Sequence, residues 1–96
     1  MPRTRPPRPS LPEAADLFRL LGDPARLRLL LLLADRGEVC AGDLAAAGGW
    51  SPSVGAGHLM RLRLAGVVAP RREGHWVYYR LGSPFVAGLL RHIRPE

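Results

Sequence analysis

The groups in this chain that could do chemistry are few and scattered. Its one cysteine, Cys40, stands in "EVCAGDL", with Glu38 two places before it and Asp43 three places after. The histidines His58, His75 and His92 lie far from it in sequence, and His92 and Glu96 are spaced i,i+4. Thiolate, imidazole and carboxylate are the groups that hold Zn, Ni or Co, but a stable site usually takes three or four of them. Cys40 has only carboxylates for near neighbours. We read it as a small apolar residue opening a helix, the usual fate of a free cysteine. A redox-sensing thiolate at a helix N-terminus and a metal ligand are the alternatives. His92 with Glu96, doubled across a dimer, would offer four ligands at a loose terminus, enough for weak binding of Ni or Zn. The competing reading is that Arg91, His92 and Arg94 complement a helix dipole. No cofactor is required. There is no Ser/His/Asp or Cys/His set and no paired carboxylates. "GDLAAAGG" lacks the lysine and the strand-to-helix setting of a phosphate-cradling loop. The chain does not read as an enzyme.

The stronger signal is electrostatic. The net charge is +6 and all 14 basic residues are arginine; lysine, asparagine and glutamine are absent. Such a balance, with a pI near 11.2, points to a polyanion, since neutralising phosphates supplies most non-specific affinity for nucleic acid. Asparagine and glutamine are the usual bidentate readers of adenine. Without them, base reading falls to Arg, His or Ser, or to DNA shape.

These residues must be positioned by a single small domain of 96 residues, a size at which dimerisation adds useful stability. One cysteine allows no internal disulfide. The opening "MPRTRPPRPSLPE" has no apolar run behind it, and Leu29 to Ala34 falls far short of the ~20 residues that cross a bilayer. We expect a cytoplasmic protein with no membrane partner.

The spacing predicts five helices and a hairpin. Residues 1–10 are a Pro/Arg-rich basic arm, too poor in apolar groups to pack and expected to be disordered; residues 11–94 form the folded domain. "SLPEAADLFRLLG" has a capping box at Ser10 and Glu13, a stripe of Ala14, Leu17, Phe18 and Leu21, and Gly22 as its stop. "DPARLRLLLLLADRG" restarts with Asp23 as cap and Pro24 first. It is apolar nearly all round, which makes it the centre of the core. "VCAGDLAAAGG" and "WSPSVGAGHLMRLRLAG" follow as a third and fourth helix with helix-turn-helix spacing. "VVAPRREGHWVYYRL" changes to strand formers around a tight turn at Glu73-Gly74. "SPFVAGLLRHIR" closes the chain with Ser83 as cap and an apolar stripe. Helices, helix-turn-helix, basic hairpin and closing helix make a winged helix, mainly α, in the order α-α-α-α-β-β-α.

At this point the sequence resembles the ArsR/SmtB family of small dimeric bacterial transcription regulators. The resemblance rests on "LGDPARLRLLLLL", "EVCAGDLA", "SPSVGAGHLMRLRLAGVV" and "RREGHWVYYRL", in the family's order and spacing. It implies a homodimer joined through the first and last helices, the fourth helix in the major groove of a palindromic operator, and a wing beside it. It also implies that many members release DNA when a metal ion or other inducer binds. Here the family's second cysteine of the third helix is replaced by Gly42. Its metal-binding pair at the start of the last helix is replaced by Ser83 and Phe85, and the rest of that helix is too short for the second pair. Both inherited metal sites are broken.

On the fourth helix, a turn of ~100° per residue places Val54, His58, Leu59 and Leu62 towards the core. His58 then reads as a structural histidine that reaches a phosphate at its edge, or else as a base reader. The opposite face carries Ser53, Ala56, Gly57, Met60 and Leu64, with Arg61 and Arg63 on its flanks. The expected DNA contacts are Ser51, Ser53, Gly57, His58, Met60, Arg61 and Arg63, with Arg71, Arg72 and His75 from the wing. The small apolar face has few donors for base edges, so phosphate and shape readout should dominate. The aromatic residues of "GHWVYY" should pack on the helices rather than stack on single-stranded bases. The dimer should be held by Leu17, Phe18 and Leu21 against Phe85, Val86, Leu89, Leu90 and Ile93. The alternative function is a protein-interaction module on the same fold, dependent on a partner protein for sensing or specificity.

Overall fold

The structure, a computed structural model, describes residues 8–95. Most of the expected Pro/Arg arm, residues 1–7, and Glu96 lie outside the described residues. Among the described residues there are five helices: α1 (Leu11–Leu21), α2 (Pro24–Arg36), α3 (Ala41–Gly48), α4 (Pro52–Leu64) and α5 (Pro84–Leu90). With them go β1 (Val39–Cys40), β2 (Val68–Glu73) and β3 (Trp76–Leu81) in a sheet of order β1-β3-β2, antiparallel throughout.

The helix starts are set locally, as the sequence predicts. Ser10 and Glu13 form a reciprocal capping box, and Glu13 is held below the ordinary carboxylate range by the backbone N–H of Ser10. The Asp23 carboxylate accepts from the backbone N–H groups of Ala25 and Arg26, and Ser51 and Ser83 cap α4 and α5 in the same way. Each cap satisfies N–H groups that the first turn leaves without a partner. Gly37, at φ +84°, adopts the left-handed backbone that ends α2.

The core is aliphatic. Leu29, Leu30 and Leu33 of α2 are fully covered by Leu17 and Leu21 of α1, Leu44 of α3, Leu59 and Leu62 of α4, Val67 and Val68 before and in β2, and Val86 and Leu90 of α5. Leu27, Leu31 and Leu32 are half-buried. The α2 helix is therefore the central element.

Three features differ from expectation. The sheet has a third strand, β1, whose Val39 and Cys40 pair with Tyr79 and Tyr78. The hairpin loop is Gly74–His75, one residue later than predicted, because Glu73 and Trp76 pair directly. Only Gly74, at φ +60°, has a positive φ there, the pattern of a two-residue turn with glycine first. And α5 ends at Leu90, so His92 and Ile93 lie in the turn that follows.

The expected dimer stripe divides in two. Leu17, Leu21, Val86 and Leu90 are buried within the single chain and close its own core. Phe18 is 55% exposed and Ile93 40% exposed, while Phe85 and Leu89 are half-buried. The Phe18 and Phe85 rings meet edge to face at 6.4 Å, joining α1 and α5 into one surface.

Candidate nucleic-acid interface

The fourth helix is held against the third by a missing side chain. A Cβ at Gly55 would sit 2.5 Å from the Ala45 Cβ, so only glycine lets the two helices approach this closely. That approach turns α4 so that Gly55, Leu59 and Leu62 face the core. Val54, expected inside, is instead 52% exposed. The wheel drawn from side chains alone missed this because the innermost residue has none. Ser51, Ser53, Val54, Ala56, Gly57, Met60, Arg61, Arg63 and Leu64 all lie on the open side.

His58 sits at the edge of this face but is engaged within the chain. Its ring stacks on Trp50 at 3.9 Å and 9°, and its Nδ1 lies 3.2 Å from Arg26 Nη1. A guanidinium can only donate, so in this contact Nδ1 is the acceptor. Arg26 also donates from Nε to the Leu20 carbonyl at 2.7 Å and lies 3.8 Å from the Asp23 carboxylate. One side chain thus ties the end of α1, the cap of α2 and the flank of α4. The Asp23 carboxyl is held below its ordinary value first by the backbone N–H of Arg26. His58 is half-buried and held by these two contacts within the chain. Arg26 and Trp50 were missed in the sequence. Their roles depend on a partner 32 residues away for Arg26 and on the turn between α3 and α4 for Trp50.

The wing separates two adjacent arginines. Arg71 donates through Nη2 and Nε to both Glu38 oxygens at 2.7 and 3.1 Å, and through Nη1 to Glu73 at 2.9 Å. Its guanidinium also lies 4.8 Å over the Tyr78 ring. Glu38 is shifted below the ordinary carboxylate value by these bonds, and Arg71 upward. Arg71, expected on phosphate, is ion-paired at the base of the wing, with its side chain 45% exposed. Arg72 points to the other side, towards a groove between wing and α4 that it lines with Ala56, Met60, Arg63 and Val77. His75 is exposed at the tip. Tyr78 and Tyr79 are half-buried, as expected for wing residues packed on the helices. Trp76 is not, at 61% exposure, because its partner across the strands is the solvent-facing Glu73.

Among the described residues, no three of His, Cys, Asp and Glu gather closely enough to hold a metal ion. Cys40 is half-buried as the N-cap of α3, without a side-chain capping bond. His92 is exposed, and its expected partner Glu96 lies outside the described residues. Among those residues no helix is long and apolar enough to cross a membrane.

The comparisons agree with this geometry. Residues 23–69 match the model of the bacterial regulatory protein, arsR family. The arsenical resistance operon repressor of Escherichia coli K12 is 43% identical over 80 residues, covering 83% of this chain and 68% of that protein. Against the arsenic resistance regulators of Pseudomonas putida the chain spans 51% and 57% of their length. Among solved structures, HlyU from Vibrio cholerae aligns with a TM-score of 0.77 at 31% identity, covering 84% of this chain and 87% of that one. The homodimeric winged helix-turn-helix DNA-binding domain of Mb0332 from Mycobacterium bovis aligns with a TM-score of 0.76 at 34% identity, covering 85% and 75%. With a helix-turn-helix, a wing and an open arginine-flanked helix in place, the chain belongs to the arsR family of bacterial regulatory proteins, as a winged helix-turn-helix transcription regulator and not an enzyme.

Proposed function

We propose that this chain binds a palindromic duplex operator as a homodimer in the bacterial cytoplasm, associated with the nucleoid, with α4 in the major groove and the wing on the flanking backbone. One observation carries the reading. Arg61, Arg63 and Arg72 surround the open face of α4 without an acidic partner among the described residues, whereas the ion-paired arginines are Arg19, Arg26 and Arg71. Free guanidinium groups around a surface of this size are suited to phosphates. Exposed Phe18 and Ile93, with half-buried Phe85 and Leu89, form the apolar surface that a second copy would cover. The Mycobacterium bovis neighbour is a homodimer, which supports this arrangement.

The same reading assigns no metal-sensing site to these residues. The E. coli relative is named for arsenical resistance, so a thiophilic ion is the natural trial inducer. Such an ion would find one thiol per chain, at Cys40. Ni or Zn would bind weakly, and the signal would reach the regulator through a partner protein or by another route. The test is DNA binding by fluorescence anisotropy over a range of salt, with and without Zn, Ni or trivalent arsenic. We expect two chains per duplex, a steep fall in affinity with salt, and little response to metal. Salt-insensitive binding would overturn the DNA reading. A metal-induced change of tenfold or more, about 1.4 kcal/mol of coupling, would overturn the second part.

A further inference from the structure

The line of α4 that stands farthest from the core runs through Ser53, Gly57, Met60 and Leu64, with Val54 and Ala56 beside it, and all six are exposed. Only Ser53 carries a hydrogen-bonding side chain, and it sits in the first turn. Gly57, at the middle, has nothing within 4 Å of where a Cβ would stand, so bare backbone can lie close to whatever the helix meets. The two charged groups, Arg61 and Arg63, stand on opposite flanks, where the phosphates of the two strands would run. A helix so built has almost nothing with which to read a hydrogen-bond pattern. In the major groove, the one base feature that matches an apolar side chain is the C5-methyl group of thymine.

Resting on the DNA-binding reading above, we propose that Val54 and Met60 choose the operator by packing on thymine methyls, while the arginines hold the backbone without regard to sequence. Val54 is 52% exposed and Met60 48% exposed, so both have apolar surface left to bury. The rotation of α4 imposed by Gly55 is what brings Val54 outward. Specificity would then follow the methyl group itself rather than the base pair that carries it.

The experiment starts from duplexes enriched by the full chain from a random pool. Each thymine in them is then replaced by deoxyuridine, which removes only the methyl. Loss of about fourfold in affinity is expected per contacted methyl, from the transfer energy of one buried carbon, with the salt slope unchanged. Replacing a contacted A·T pair by G·C should weaken binding, and replacing it by G·5-methylcytosine should restore part of the loss. The variant V54A/M60A, altered only at exposed positions and checked for fold by circular dichroism, should bind thymine and uracil duplexes alike, because the groups that tell them apart are gone. Equal affinity for thymine and uracil at every position would overturn the proposal. So would a double variant that still discriminates, or a pool that yields no preferred sequence. Absence of salt-sensitive binding to any duplex would instead remove the DNA reading on which it rests.

Discussion

Arg71 and Glu38 meet across the base of the wing in two parallel hydrogen bonds, Nη2 to Oε1 at 2.7 Å and Nε to Oε2 at 3.1 Å. The pair links β2 to the residue preceding β1 and leaves Arg72, of the two neighbouring arginines, without an acidic partner among the described residues. Arg72→Ala should therefore reduce the slope of log affinity against log salt by about one, the effect of one lost phosphate contact. Arg71→Ala should leave that slope nearly unchanged. A matched series of salt titrations on the two variants checks this, and equal losses would mean that Arg71 leaves Glu38 when DNA arrives.

The clamp also has a pH dependence. Glu38 is held below its ordinary value of 4.5 chiefly by its hydrogen bonds to Arg71. A carboxylate depressed in the folded state adds stability above its unfolded pKa and loses it as the pH falls through the folded one. The clamp should therefore be intact at neutral pH and open progressively below 4.5. Glu38→Gln should mimic the acidic state at pH 7, speeding amide exchange in β1 and β2. Unchanged exchange would show that the pair does not hold the wing.

Gly55 and Gly57, two residues apart, should respond oppositely to alanine. At Gly55 the new methyl meets the Ala45 Cβ at 2.5 Å, and forcing the helices apart should cost about 1–3 kcal/mol. At Gly57 the space is open, and alanine should stabilise α4 by up to about 1 kcal/mol through its higher helix propensity. Urea denaturation of the two variants gives both signs directly.

Trp50 closes one side of His58 by stacking at 3.9 Å. Trp50→Ala should lower stability by about 2 kcal/mol, from lost packing together with the stacked pair. It should also loosen the flank of α4 that Arg26 holds. Thermal melts give the first effect; the second would show as faster amide exchange around His58.

The apolar surface of α1 and α5 separates folding from assembly. Charged residues at Phe18 and Ile93, both exposed in the single chain, should yield folded monomers with weakened binding to palindromic DNA. A charge at Leu17 or Val86, which are buried, should unfold the chain instead. Sedimentation and circular dichroism together distinguish the two outcomes. A Phe18/Ile93 charge variant still dimeric at micromolar concentration would move the interface elsewhere.

Much of the fold is legible because its signals are local. Ser10, Asp23, Ser51 and Ser83 each bond an N–H two or three residues on, so their spacing alone marks the helix starts. What could not be read depends on distance or on absence. Glu38 and Arg71 are 33 residues apart, and nothing in either neighbourhood announces the other. The two residues of β1 are too short a run to show an alternation. Val54 was misplaced because the rotation of α4 is set by the missing side chain of Gly55. The split dimer stripe has a similar cause: one apolar stripe served both the chain's own core and its outer surface, and sequence does not say where one ends.

Cys40 is the last residue of β1 and also the N-cap of α3. A residue shared by two elements cannot move with one and stay with the other. Force applied at the tip of the hairpin passes through the pairing of Tyr78 with Cys40 into the helix-turn-helix, across a single peptide junction with no slack segment between them. On the DNA-binding reading, the wing and the helix-turn-helix would act like the jaws of a caliper joined at this residue, their spacing set by the fold before any duplex arrives.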